Sequence, residues 1–213
     1  MRRKSFDILV SAGGLLIALV LVAAGALAMW GYSYDNSTVT HQLAAQDITF
    51  PPKAAFAHAK PGTEITPSMI PSVSQYAGEK LTTGAQAEVY ANDFISVHLS
   101  EMPYHGVYAL VSAAARAAKP GSAQAAELAS LEQTVFQGTT LRGLLLNVYG
   151  WWKIGQVALW AGIVSFILAG LTLLLSGLGL WHARRVPAEE EIPRLQRAGA
   201  AVHGQPQTLA MNN

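Results

Sequence analysis

Two windows of this chain, Ile8 to Tyr34 and Ile154 to Ala183, contain no Asp, Glu, Lys or Arg. Each exceeds the ~20 residues an α-helix needs to cross about 30 Å of hydrocarbon. The rest of the chain has to be arranged around two such helices. They also account for the composition, in which only 13% of residues are charged, about half of the ~25% usual in soluble domains.

The flanks orient the spans. The chain starts MRRK, and His182, Arg184 and Arg185 follow the second window, with Arg194 and Arg197 beyond. Positive flanks stay on the cytoplasmic side, so both ends vote for the same topology, N-in and C-in. The segment between the windows carries more acidic than basic residues. Tryptophan favours the headgroup level; Trp30, Trp151 and Trp152 suit the outer interface and Trp181 the inner one, with Trp160 alone inside a span.

These signals predict a mostly α protein of the plasma membrane. Its expected parts are a cytoplasmic N-terminus (1–7), a first transmembrane helix (8–30), an extracytoplasmic helical domain (31–153), a second transmembrane helix (154–181) and a disordered cytoplasmic tail (182–213). The lipid bilayer is thus one expected partner. A rival reading makes the first span a cleaved signal peptide, with Ala26-Leu27-Ala28 as the cleavage motif. Its apolar run exceeds the 7–15 residues of a signal core, and Trp30, Tyr32 and Tyr34 suit a retained anchor. Small residues at helical spacing, Gly14, Ala18, Ala24 and Ala28 on the first span and Ala158, Gly162 and Gly170 on the second, are candidates for close helix packing.

Between the spans, Asn36 to Gln46 extends the first helix, and Asp47 to Phe50 is a short extended piece. Pro51, Pro52, Pro61, Pro67 and Pro71 then argue for a long loop without regular helix. Thr83 with Gln86 three residues on is a capping box. The helix it opens places Ala87, Tyr90, Phe94, Val97 and His98 on one stripe and must stop before Pro103. A second helix covers Val107 to Ala118. A third is capped by Ser122 and ends at Gly138. A last one starts at Thr139 or Thr140 and runs unbroken into the second span. The resulting domain is alanine-rich, with a correspondingly thin core.

The chemistry-bearing residues are few. The chain has no cysteine, which removes disulfides, thiolate nucleophiles and Cys-ligated metals. A net charge of +1 creates no field to gather nucleic acid. There is no G-x-S-x-G elbow and no phosphate-cradling glycine loop. The best metal candidate is His98 with Glu101, three residues apart on one helix face, and His105 beyond Pro103; His41 and His58 lie on other segments. The order His-x-x-Glu is the reverse of the Glu-x-x-His motif of di-iron bundles, and a core or capping histidine beside a solvated glutamate is the simpler account. Arg142, set among leucines, is expected to reach headgroups or an acidic partner. Tyr104, Tyr108 and Tyr149 are either core or an interaction surface.

The segments QLAAQDITFPP (Gln42 to Pro52), TTGAQAEVYANDFISVHL (Thr82 to Leu99) and FQGTTLRGLLLNVYGWW (Phe136 to Trp152) resemble a group of actinobacterial two-span membrane proteins without an established function, some labelled "aromatic ring-opening dioxygenase". The resemblance implies the two-span plan and carries no site residue. Extradiol ring cleavage needs iron held by two histidines and a carboxylate in a dry pocket, and no such spacing occurs here.

The expected function is therefore non-enzymatic, without catalytic, metal or cofactor residues. The outer helical domain binds or supports an envelope membrane protein or a second copy of the chain. The alternative is a tethered metal- or ligand-binding domain or enzyme using His98 and Glu101.

Overall fold

The computed structural model describes residues 3–185; the tail beyond them, expected to be disordered, lies outside the described residues. Most of the described chain is helical. Among the described residues there is no strand, only an isolated antiparallel bridge between Thr49 and Lys80. Two helices dominate, α1 (Arg3–Ala44) and α7 (Ala123–Arg185), and both contain stretches long and apolar enough to cross a membrane. Large apolar side chains stay exposed on them, Leu19 at 68% and Leu175 at 70% among others. Residues 182–185, expected to belong to the disordered tail, instead finish α7, and the Arg185 guanidinium stacks on the Trp181 ring at 3.9 Å.

The described residues form two compact units, one made of residues 3–21 and 167–185, the other of Val22–Phe166. In the first, a Cβ added to Gly14 would meet Ser176 Oγ, and one added to Gly179 would meet Ser11 Oγ. In the second, Gly25 lies against the Phe166 ring, Gly162 against Met29 and the Gly25 carbonyl, and Gly155 against Asp35. That pairing order makes the two helices antiparallel there. Buried small residues on α7 (Gly155, Gly162, Ala169, Ser176 and Ala183) recur every seven positions, the repeat of a two-helix seam. Of the small residues expected to mediate packing, Gly14, Ala18 and Gly162 lie in contact regions, while Ala24 and Gly170 are exposed.

The second unit also holds a hydrophobic core. Val39 and Leu43 from α1 and Leu145 from α7 enclose Phe50, Ile65, Met69, Val73 and Leu81. Side chains larger than alanine thus fill the core of this alanine-rich domain. The bulk comes from residues 50–81, whereas most alanines of α6 (Tyr108–Ala117) are only partly covered or exposed. The proline-rich segment is also more regular than predicted, with short helices α2 (Lys53–Phe56) and α3 (Ile70–Val73) and a 3₁₀ turn at Pro67–Met69. Pro67 and Pro71 sit in the first two positions of their turns, where a missing N–H costs nothing and a fixed φ helps.

The capping box forms as expected. Gln86 N–H donates to Thr83 Oγ1 at 3.2 Å, and Gln86 Oε1 accepts from the backbone N–H groups of Thr82 and Thr83 at 2.8 and 3.0 Å. The helical run it opens has three parts: α4 (Gly84–Val89), a π-helical stretch (Tyr90–Ile95) and α5 (Ser96–Glu101). Beside buried Gly84, Gln86 and Val89, one row of buried positions, Ala87, Ala91, Ile95 and Leu99, recurs at spacings of four. An α-helix of 3.6 residues per turn would rotate them off the core face, and the wider π turn restores it. Of the expected stripe, only Ala87 is fully buried, with Tyr90, Phe94 and Val97 packed beside the core.

Helix α7 corrects a second boundary. Ser122 Oγ accepts from Ala125 N–H as its cap, but the helix does not stop at Gly138; it runs from Ala123 through Gly138, Gly143, Gly150 and Gly155. The Leu99 side chain packs in the space where a Cβ at Gly138 would lie, at 2.9 Å, so this glycine admits a neighbour rather than ending a helix.

Two glycines of the second unit should respond oppositely to alanine. A Cβ at Gly84 would collide with the Trp152 side chain, whereas one at Gly143 meets nothing within 4 Å. Gly84→Ala is expected to cost about 1–3 kcal/mol through overpacking. Gly143→Ala should instead stabilise by roughly 0.5–1 kcal/mol through helix propensity. Thermal unfolding of the detergent-solubilised chain measures both, and equal shifts would contradict the packing described.

Candidate functional site

The histidine constellation does not assemble. His98 ends an aromatic ladder in which Tyr76, Phe50, Tyr90, Phe94 and His98 follow one another at centroid distances of 5.3, 5.3, 4.7 and 4.6 Å. Its Nδ1 lies 2.8 Å from the Phe94 carbonyl oxygen, so the ring N–H donating there satisfies the half-buried side chain. Glu101 is exposed, and so are His41, His58 and His105. No group of three potential metal ligands occurs among the described residues. The carboxylate sharing a cleft with His98 is Glu64 of the proline-rich segment, with Phe94, Leu99 and Leu141 as apolar walls. Sequence spacing had no means of bringing Glu64 to His98, because the approach is made by the fold of residues 51–81.

Arg142 takes neither expected partner directly. Its Nη2 donates to Asn92 Oδ1 at 2.9 Å, and Asn92 Nδ2 donates to Glu88 Oε1 at 3.3 Å. An amide thus relays the guanidinium to an acidic residue, while Arg142 Nε is buried without a hydrogen-bond partner. Gln86, also buried, donates from Nε2 to Glu79 Oε2 at 2.9 Å. These contacts tie α7 and the start of α4 to their surroundings. They contain no nucleophile with an adjacent base.

The residue that stands out is Asp35, one position beyond the first charge-free window and without a sequence motif around it. Its neighbours three and four positions away on α1 are Gly31, Tyr32, Thr38 and Val39, so its own helix offers no cation. Gly155 of α7 approaches its carboxylate, and Asp35 Oδ2 is buried with no hydrogen-bond partner. Burial holds its pKa above the ordinary carboxylate value. Asp35 lines a groove of about 580 Å³, within the size range of small-molecule sites, with Tyr34, Thr38 and Gln42 of α1 and Asn147, Trp151 and Ile154 of α7 around it. In the other unit, Asp7 Oδ2 is likewise buried and unpartnered, in a smaller cleft of about 250 Å³ with Ser11, Ser176 and His182.

Trp152 departs from the expected interfacial belt. Trp30 and Trp151 are exposed at 68% and 58%, but Trp152 is half-buried, packed against the core and over Gly84. Its side chain therefore serves the helical domain.

No family model, curated protein or solved structure matches the chain. The reading of the groove accordingly rests on its own chemistry.

The sign of the Asp35 effect is testable. With its folded pKa raised, the folded state binds more protons than the unfolded state between the ordinary carboxylate pKa and the raised one, so Asp35 lowers stability as pH climbs through that window. Asp35→Asn removes the charge at nearly constant shape. In the delipidated chain it is expected to raise Tm at pH 7, with the gain vanishing as pH falls below about 3.9. A loss of stability at pH 7 would show that the ionised carboxylate is satisfied. For the histidine alternative, elemental analysis of the purified chain is expected to find no stoichiometric zinc or iron. Metal present in wild type and lost in His98→Ala would restore that reading.

Proposed function

We propose that this chain is a two-pass plasma-membrane protein with both ends cytoplasmic, whose extracytoplasmic helical domain binds or supports another envelope protein and performs no catalysis. The membrane placement is supported by the exposed leucines of α1 and α7, by Trp30 and Trp151 exposed near the outer ends of the charge-free windows, and by basic residues flanking both cytoplasmic ends. Leucine on display around long helices is costly in water and matched by lipid. The resemblance to two-span actinobacterial proteins agrees with this plan.

The observation that carries the interaction reading is an apolar set away from the spans. Tyr104, Val107, Tyr108, Leu110 and Phe136 are 42–52% exposed, and the Tyr108 and Phe136 rings lie 5.9 Å apart. The tyrosines at 104 and 108 are thus surface rather than core. The turn presenting them is strained: Tyr104 and His105 have φ of 58° and 54°, followed by Gly106 at 61°. Left-handed backbone costs a non-glycine residue about 1–2 kcal/mol, and strain of this kind concentrates where side chains must be displayed. Gly106 is required there, because a Cβ would strike the Leu99 carbonyl.

Topology is tested with single cysteines, since the native chain has none. Ser100→Cys is expected to react with an impermeant maleimide in intact cells and Gln205→Cys only after lysis; the opposite pattern overturns the orientation. For the partner, a photoreactive residue at Leu110 should give one discrete protein adduct in native membranes, and Tyr108→Asp should abolish it. A chain that crosslinks to nothing and is recovered as a lone monomer in mild detergent is not an interaction module of this kind.

A further inference from the structure

The Asp35 groove has the features of a small amphiphile site. One end is polar, with the Gln42 and Asn147 amides; the other is apolar, with Ile154 and Ala158. Between them stand a carboxylate and two exposed aromatic rings, Tyr34 and Trp151. A carboxylate with aromatic faces attracts an ammonium group. Asp35 adds a finer requirement: its Oδ2 is packed against Gly155 and accepts no hydrogen bond, so the half-buried carboxylate is left unneutralised by the protein at the groove, and a complement that carries an N–H as well as a positive charge suits it best. Primary amines meet both conditions, quaternary ammonium groups meet only the second, and anionic headgroups meet neither.

We propose that this groove binds one membrane lipid with a primary-amine headgroup, of the phosphoethanolamine type, its ammonium donating to Asp35 and an acyl chain lying along Ile154 and Ala158. The apolar end selects a lipid over a free amine, because Ile154, 60% exposed, and Ala158 line it and offer an acyl chain an apolar wall. Gly155 is the enabling residue on α7, since a side chain there would occupy the space taken by the Asp35 carboxylate. The inference rests on the membrane placement proposed above, which the cysteine experiment tests separately.

Native mass spectrometry of the full chain in detergent, supplied with phosphatidylethanolamine, phosphatidylcholine or phosphatidylglycerol of identical acyl chains, tests it. One phosphatidylethanolamine is expected to be retained about tenfold better than either competitor, the factor attached to one charge-assisted hydrogen bond, and Asp35→Asn should erase the preference. Equal retention of the three lipids by wild type overturns the proposal, even if Asp35→Asn does not insert. So does an undiminished preference in Asp35→Asn. Free O-phosphoethanolamine at millimolar concentration should not displace the lipid; displacement would make the site one for soluble amines. A photoreactive residue at Ile154 should yield lipid adducts, and a protein adduct there would assign the groove to a partner helix instead. Lost lipid preference with intact topology removes this inference alone, whereas reversed labelling removes the topology.

Discussion

The structure depends on how closely the backbones of α1 and α7 approach. A carbon added at Gly155 would collide with the Asp35 carboxylate, and one at Gly14 or Gly179 in the other unit with a serine hydroxyl, while at Gly25 and Gly162 the Phe166 and Met29 side chains would have to give way slightly. In the bilayer proposed for these helices there is little hydrophobic gain in burying one more leucine, so association there draws on van der Waals contact at close range. Small residues make that range accessible. The seven-residue repeat on α7 keeps them on one face.

Because both helices continue beyond the charge-free windows, their pairing supplies the walls of the helical domain. Val39, Leu43 and Leu145 belong to the same cluster as Phe50, Met69 and Leu81, so that cluster is assembled from residues more than a hundred positions apart in sequence. The proline-rich segment, unable to form a long helix, packs into the cluster as short turns. Trp152 links two elements there. It is next to Trp151 in sequence, but its ring packs over Gly84, joining α7 to the start of α4.

Polar groups enter these apolar surroundings in three ways. Gln86 is engaged through Oε1, Nε2 and its backbone N–H by the capping box and Glu79. Arg142 is partly engaged through Asn92. Asp35 accepts no hydrogen bond at Oδ2. A buried polar group without a partner costs free energy, and of the three, the carboxylate carries the largest unmet requirement beside a groove. That contrast, rather than any catalytic motif, distinguishes the neighbourhood of Asp35.

Local signals made several features legible in the sequence alone. The length of the charge-free windows implied two long apolar helices, Thr83 and Gln86 marked a helix start, Pro103 marked its end, and Ser122 marked the start of α7, because each acts through its immediate neighbours. Gly138 misled, since a glycine ends a helix or admits a neighbour depending on what lies beside it, and Leu99 is remote in sequence. The buried face of residues 87–99 was misjudged because a π turn changes the period on which the stripe was drawn. Nothing local in the sequence marks Asp35, which stands one position beyond a charge-free window. Only tertiary structure set Gly155 against it and withheld a hydrogen-bond donor, since burial and the absence of a partner are properties of three-dimensional packing and leave no trace in local spacing.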